Sequence, residues 1–304
     1  MVIKSSMRYV AVWVLDFVTL TDLSQHVNVQ ANHGALIRNM AARGTVMLKN
    51  VDGALPLTGS EKFTAVIGED AGPNVYGPNG CPDRGCDMGV LGMAWGSGSA
   101  NFPYLITPDA AIQNYVLSRG AGSYQSVLDN NATSQIESVA SQATVAIVFA
   151  NSDSGEGYIE VDGNLGDRNN LTLWQGGDLL IEQVASMCNN TIVVVHSTGP
   201  VLMPWSTNPN VTAILWAGVP GEEAGNSIVD VLYGAVNPAA RLPFTIGAAR
   251  QDYGTDILYQ PNNVSNDFLQ LHPRERAADI LSRASRLRKK TSLRVSSLTT
   301  ALST

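Results

Sequence analysis

The sequence predicts an α/β fold: a mostly parallel sheet sandwiched between helices, with divergent terminal extensions. Continuous apolar, β-branched runs such as Val145–Phe149 and Ile192–Val195 read as strands buried on both faces. Amphipathic segments alternate with these runs, giving the strand–helix order of a parallel sheet covered on both sides. No internal repeat competes with that reading.

Each element has its own signal. Leu36, Ile37, Met40 and Ala41 recur at helical spacing, and the helix they predict ends near Gly44. Thr45–Leu48 reads as a short strand, and Asp52-Gly53 as a turn. Thr64–Ile67 predicts a buried strand. Thr107-Pro108-Asp109 opens a helix with a capping hydroxyl and proline at the first helical position. Ser134 and Glu137 suit a capping box ahead of Val139, Ala140 and Ala143. Leu179, Leu180, Val184 and Met187 mark a further helix. Ala213–Trp216 predicts the next strand, and Ile228, Val231 and Leu232 form the apolar face of a helix stopped at Gly234. The expected organisation is an unassigned segment over 1–26, a lead-in helix and linker over 27–59, and the α/β sandwich over 60–263. A divergent basic, Ser/Thr-rich tail follows over 264–304, with the composition of a disordered segment.

Composition narrows the function. The 304 residues, 44% hydrophobic and 15% charged, suit a globular protein with a sizeable core. A formal net charge of -7 argues against a nucleic-acid partner, which would favour clustered cations. Lys4 and Arg8 precede the apolar run Tyr9–Leu15, long enough for the hydrophobic part of a signal segment but too short to span a bilayer. Asp16 interrupts that run, and no small-x-small cleavage site follows. No membrane partner is expected. Cys81 and Cys86 stand close enough to close a small loop as a disulfide in an oxidising compartment. A metal site would need further ligands, and Cys188 reads as a buried thiol. Acceptor tripeptides for N-linked glycans begin at Asn131, Asn170, Asn189, Asn210 and Asn263 and tilt the reading toward the secretory route.

In open parallel sheets, ligands bind beyond the carboxyl ends of the strands. Glu69 and Asp70 follow one predicted strand there. Asp153, Glu156, Tyr158, Glu160 and Asp162 follow the next, then His196 and Ser197, and Trp216. Glu156 sits between Gly155 and Gly157, free of bulky neighbours, in a loop whose tyrosine suits stacking on a sugar ring. A carboxylic acid beside an aromatic wall is the equipment of glycoside hydrolysis. The competing reading is an acidic, Gly-rich surface or calcium-type loop. His196 reads as a hydrogen-bonded structural residue, because no partnered nucleophile is evident. Trp174, Trp205 and Trp216 read as core or rim packing. No phosphate-cradling glycine motif is present, so no nucleotide or other cofactor is expected.

The runs Thr45–Asn50, Gly53–Leu57, Gly77–Cys86, Trp95–Gly98, Phe102–Leu105, Gly155–Tyr158, Asp162–Arg168 and Pro220–Glu223 through Asn237-Pro238 resemble family 3 glycoside hydrolases of the secreted fungal β-glucosidase type. The resemblance covers residues 27 to 263 and is to the C-terminal α/β sandwich domain. It implies Glu156 as general acid/base of a retaining mechanism. It also implies Tyr158 and Ser97 as substrate-binding residues, a Cys81–Cys86 disulfide, an extracellular location and a β-glucoside or oligosaccharide substrate, with β-xyloside as the alternative. In the family this sandwich follows a barrel carrying the nucleophilic aspartate and precedes a fibronectin-III-like domain. Residues 1–26 are too few to encode that barrel, and after Asn263 the sequence leaves the family pattern. The expectation is therefore a truncated β-glucosidase chain with no nucleophile of its own and no activity in isolation, or else an inert or sugar-binding remnant. Glu160 departs from the neutral residue the family favours, and a second carboxylate near Glu156 would disturb its ionisation.

Overall fold

A computed structural model describes residues 29–80, 88–94, 99–120, 122–155, 160–161 and 164–254. The chain divides into two compact units, residues 1–253 and 254–304, and the described structure lies almost wholly in the first. The segment over 1–26 and the basic tail over 264–304 lie outside the described residues.

Strands β1 (Val46–Asn50), β2 (Phe63–Ile67), β3 (Ser123–Val127), β4 (Val145–Ser152), β7 (Thr191–Ser197) and β8 (Val211–Trp216) form a six-stranded sheet in the order β1-β8-β7-β4-β2-β3. Every neighbouring pair is parallel except β1 against β8. The lead-in thus contributes an edge strand to the sandwich, with Val46 opposite Trp216. Two-residue strands β5 (Glu160–Val161) and β6 (Asn164–Leu165) pair in a small antiparallel hairpin.

Helices cover both faces. Ala146, Val148, Ala150, Val193 and Val195 point to one face, where α3 (Thr133–Ala140) and α4 (Gly177–Met187) bury Ile136, Val139, Leu180, Ile181 and Val184. Val145, Ile147, Phe149, Ile192 and Val194 point to the other. There α1 (His33–Gly44), α2 (Pro108–Arg119) and α5 (Ala224–Leu232) bury Ala42, Ile112, Val116, Ile228, Val231 and Leu232. All residues of β4 and β7 are buried, as continuous apolar runs require. Trp174 and Trp205 are core residues, and Cys188 is a buried thiol whose pKa is raised by that burial.

Three local expectations change. Thr107 caps α2 as its sequence predicts, accepting from the Ala110 N–H. The Ser134–Glu137 capping box does not form, because α3 begins at Thr133 with Ala132 at its N-cap, placing Ser134 inside the helix. On α4, Leu179 is 78% exposed, and the buried stripe runs through Leu180, Ile181, Val184 and Ala185. Leu36 and Met40 are exposed on α1, where Ile37 and Ala41 are half-buried and Ala42 is buried in the core that α5 shares. In both helices adjacent apolar residues left the phase of the stripe open.

Chain direction across the sheet reverses between β2 and β4. From β2 the chain passes through α2 to β3 at one edge; from β4 it passes through α4 to β7 and then β8, toward the other. The two helices lie on opposite faces. The carboxyl ends of β2 and β4 therefore flank a topological switch point, where an open α/β sheet leaves a crevice.

Candidate active site

Two loops leave that crevice, and a buried polar cluster anchors the first of them to the strand ends. A short 3-10 turn, Glu69–Ala71, follows β2. Asp70 is fully buried, and its Oδ1 accepts from the Leu91 N–H at 2.9 Å and from Asn151 Nδ2 at 3.2 Å. Its Oδ2 lies 2.7 Å from His196 Nδ1, and the imidazole is likewise fully buried. Glu69 completes the arrangement, accepting from Asn151 Nδ2 at 2.8 Å and from the Gly89 N–H at 2.9 Å. Asn151 pairs in register with His196 on neighbouring strands, so both side chains share the face covered by α1, α2 and α5. His196 is the hydrogen-bonded structural residue that its sequence context predicts.

These bonds bring the carboxyl ends of β2, β4 and β7 to residues 89–91, which lead into the segment bearing Ser97. The base of that segment is closed by Ser99 Oγ donating to the Ala94 carbonyl at 3.2 Å. A second anchor is the Gly221 N–H donating to the Gly92 carbonyl at 2.8 Å.

The loop after β4 is closed in the same manner. The Gly155 N–H donates to the Gly166 carbonyl at 3.1 Å, and Ser154 Oγ donates to Asp167 Oδ1 at 3.0 Å. The Arg168 N–H returns a bond to Ser154 Oγ at 3.2 Å. Arg168 reaches under the loop to the Pro200 carbonyl at 3.0 Å and Ser152 Oγ at 3.3 Å. Burial lowers its pKa, while the charge of the fully buried Asp153 acts in the opposite direction. On the same face of the sheet, where Ser197 pairs in register with Ser152, Trp216 Nε1 donates to Ser197 Oγ at 2.7 Å, and its ring meets Phe244 edge-on at 5.5 Å. Trp216 is thus rim packing.

Glu156, Tyr158, Asp162, Ser97, Cys81, Cys86 and Asn263 lie outside the described residues, and Glu160 is described in its backbone alone. Their flanks are fixed: Gly155 and the β5–β6 hairpin bracket the Glu156 segment, at the carboxyl end of β4 beside the switch point. Asn151 and Arg168 tie down the bases of these loops, and sequence reasoning gave neither a role; it named Asp70 only as one of the carboxylates at the strand ends. Asp70 and His196 stand 126 residues apart, and only the sheet order makes them neighbours. A cavity of about 240 Å³ opens at this edge, lined by Glu69, Val75, Met88, Leu128, Asn130 and Gln175 among others. It falls below the roughly 300 Å³ at which ordinary ligand pockets begin.

Residues 45–278 match the model of the glycosyl hydrolase family 3 C-terminal domain. A probable β-glucosidase of Arthroderma benhamiae is 60% identical over 242 residues, spanning 79% of this chain and 29% of the relative. β-Glucosidase A of Aspergillus kawachii is 61% identical, over 79% of this chain and 28% of its own length. Among solved structures, a family 3 β-glucosidase from Neurospora crassa superposes with a TM-score of 0.74 at 63% identity, covering 78% of this chain and 28% of that one. The β-glucosidase of Chaetomium thermophilum gives the same score and identity over 79% and 28%. The chain therefore spans less than a third of the length of these relatives. It belongs to glycosyl hydrolase family 3 and carries that family's C-terminal domain.

Proposed function

We propose that the chain is the acid/base-bearing part of a secreted retaining β-glucosidase that removes terminal β-D-glucosyl residues from cellobiose and β-glucan fragments. The observation that carries this reading is the Gly155-Glu156-Gly157 loop, rooted at the carboxyl end of β4 in a chain whose fungal relatives at 60–63% identity bear the name β-glucosidase. Glu156 protonates the departing glycosidic oxygen. As a carboxylate it then takes a proton from the water that attacks the glycosyl intermediate. Tyr158 stacks at the leaving-group side, Ser97 bonds the glucosyl ring, and a Cys81–Cys86 disulfide fixes the loop between β2 and α2. The nucleophilic carboxylate, held about 5 Å from the acid/base group in a retaining site, belongs to the barrel in the length of the relatives that this chain does not span. A fibronectin-III-like domain completes the whole enzyme.

The 304-residue chain alone is expected to give no turnover of an aryl β-glucoside. Mixing it with a separately produced barrel from a fungal relative restores turnover, and Glu156→Gln lowers the restored rate by about 10²–10⁴-fold. Turnover by the purified chain alone, abolished in Glu156→Gln, overturns the division of the site. Calorimetric titration with glucose or cellobiose separates a sugar-binding chain from an inert remnant, which gives no heat. An aryl β-xyloside turned over faster than the glucoside by the mixture makes xylose the substrate.

A further inference from the structure

The structure separates four glycan-acceptor tripeptides that the sequence leaves equivalent, and we propose that Asn131, Asn170 and Asn189 carry N-linked glycans while Asn210 stays bare. The inference needs only that the chain enters the secretory route, and holds whether or not it binds a glucoside. In that modification, the side-chain amide nitrogen attacks the anomeric carbon of an oligosaccharide carried on a lipid diphosphate. A C–N bond forms, the glycosyl–oxygen bond breaks, the lipid diphosphate leaves with the electron pair, and one amide proton is lost to the transferase. The mature glycoprotein must then fold with the glycan pointing into solvent.

Asn131 and Asn170 meet that condition most simply. Both are exposed, as are the hydroxyl residues of their tripeptides, Thr133 and Thr172. Asn131 lies in the turn after β3, where its N–H bonds Asp129 Oδ1 at 2.9 Å. Asn170 turns its carbonyl oxygen back on its own tripeptide, accepting from the Thr172 N–H at 3.0 Å and hydroxyl at 2.7 Å. Its amide nitrogen takes no part in either bond.

Asn189 and Asn210 lie side by side at the amino ends of β7 and β8, and their tripeptides are interlocked. The Thr191 N–H donates to the Asn210 carbonyl at 2.9 Å. Thr212 Oγ1 donates to Asn190 Oδ1 at 2.7 Å, so the last residue of one tripeptide holds the middle residue of the other. Within this pair the two asparagines differ. Asn189 is exposed on the turn after α4. Asn210 is half-buried, and its Nδ2 donates to the Ala185 carbonyl in the last turn of α4 at 2.8 Å. That bond draws the reacting nitrogen of Asn210 against the helix end and satisfies a carbonyl that α4 leaves open. A glycan on Asn210 would place its first sugar at the contact between β8 and α4, beside one already seated on Asn189.

The test expresses the full chain behind a cleavable heterologous leader in a yeast host. Secreted and retained protein are both mapped by enzymatic deglycosylation in heavy-oxygen water, which converts each occupied Asn to labelled Asp. Label in most molecules at Asn131, Asn170 and Asn189, with the Asn210 peptide unlabelled, is the expected result. Asn189→Gln then lowers the mass by one glycan without moving modification to Asn210, and Asn210→Gln leaves the glycan mass unchanged. Label at Asn210 in most molecules, or an unlabelled majority at any of the other three, overturns the proposal.

Discussion

Asp70 shows how much one buried carboxylate can hold. Without exposure to water, its charge must be balanced by donors, and it has them in the Leu91 N–H, Asn151 Nδ2 and the imidazole of His196. Removing the carboxylate orphans donors from separate segments, whereas removing the imidazole leaves two donors on the carboxylate. Asp70→Ala is therefore expected to cost more than His196→Ala, with the latter near 3 kcal/mol. The double variant should cost less than the sum by about 1 kcal/mol or more, because the pair is in contact. Urea unfolding of the four proteins measures all three values. Additive losses would mean that the bond between the pair contributes nothing. The sequence places Asp70 and His196 at the same edge of the sheet but gives no sign that they bond, since an aspartate and a histidine so far apart share no motif. Glu156 stands out as a candidate for the opposite reason: its two glycines and its aromatic neighbour lie within one short run.

Helices α2 and α5 cross so closely that their contact depends on one missing methyl group. A Cβ on Gly225 would stand 2.2 Å from the Thr107 carbonyl oxygen and 2.9 Å from Ala111 Cβ. The Gly225 N–H already bonds the Ile106 carbonyl at 2.7 Å, so neither backbone can retreat without losing that bond. Gly225→Ala should destabilise the chain by about 1–3 kcal/mol through overpacking. Gly44, at the end of α1, has nothing within 4 Å of its Cβ position and no left-handed φ. Gly44→Ala should stabilise by about 0.5 kcal/mol, by restricting the unfolded chain. Thermal melts of the two variants are expected to move in opposite directions, and a fall in both would remove backbone contact as the reason for Gly225. Element legibility follows similar lines. The buried central strands announce themselves by apolar runs, but β3, Ser-Tyr-Gln-Ser-Val at the sheet edge, exposes Ser123 and Gln125 and escapes such a search. The β5–β6 hairpin is too short to carry any periodicity.

At the scale of the molecule, the parallel sandwich could be read from strand–helix alternation, while strand order could not, because alternation is the same for every order of the strands. The switch point, and with it the meeting of the Asp70 and Asn151 segments, appears only when β4 is seen to lie between β2 and β7. Global stability carries a further mark of such long-range packing in Asp178. It joins segments from three places: its Oδ2 accepts from the Leu173 N–H at 3.1 Å, its Oδ1 from Trp205 Nε1 at 2.8 Å, and its backbone opens α4. Burial raises its pKa above the ordinary 3.8, outweighing the two bonds that favour the charged form. The folded chain therefore binds this proton more tightly than the unfolded chain. Asp178 contributes most stability below its unfolded pKa and progressively less as pH rises through its raised folded value. An asparagine resembles the protonated acid and pays no such cost of ionisation. The loss caused by Asp178→Asn should accordingly be larger at about pH 3.5 than at about pH 7, where the wild-type carboxylate is charged and incompletely solvated. Urea midpoints and slopes measured for both proteins at the two pH values give the difference directly. A loss that grows toward neutral pH would show that the bonds from Leu173 and Trp205, not burial, dominate this site.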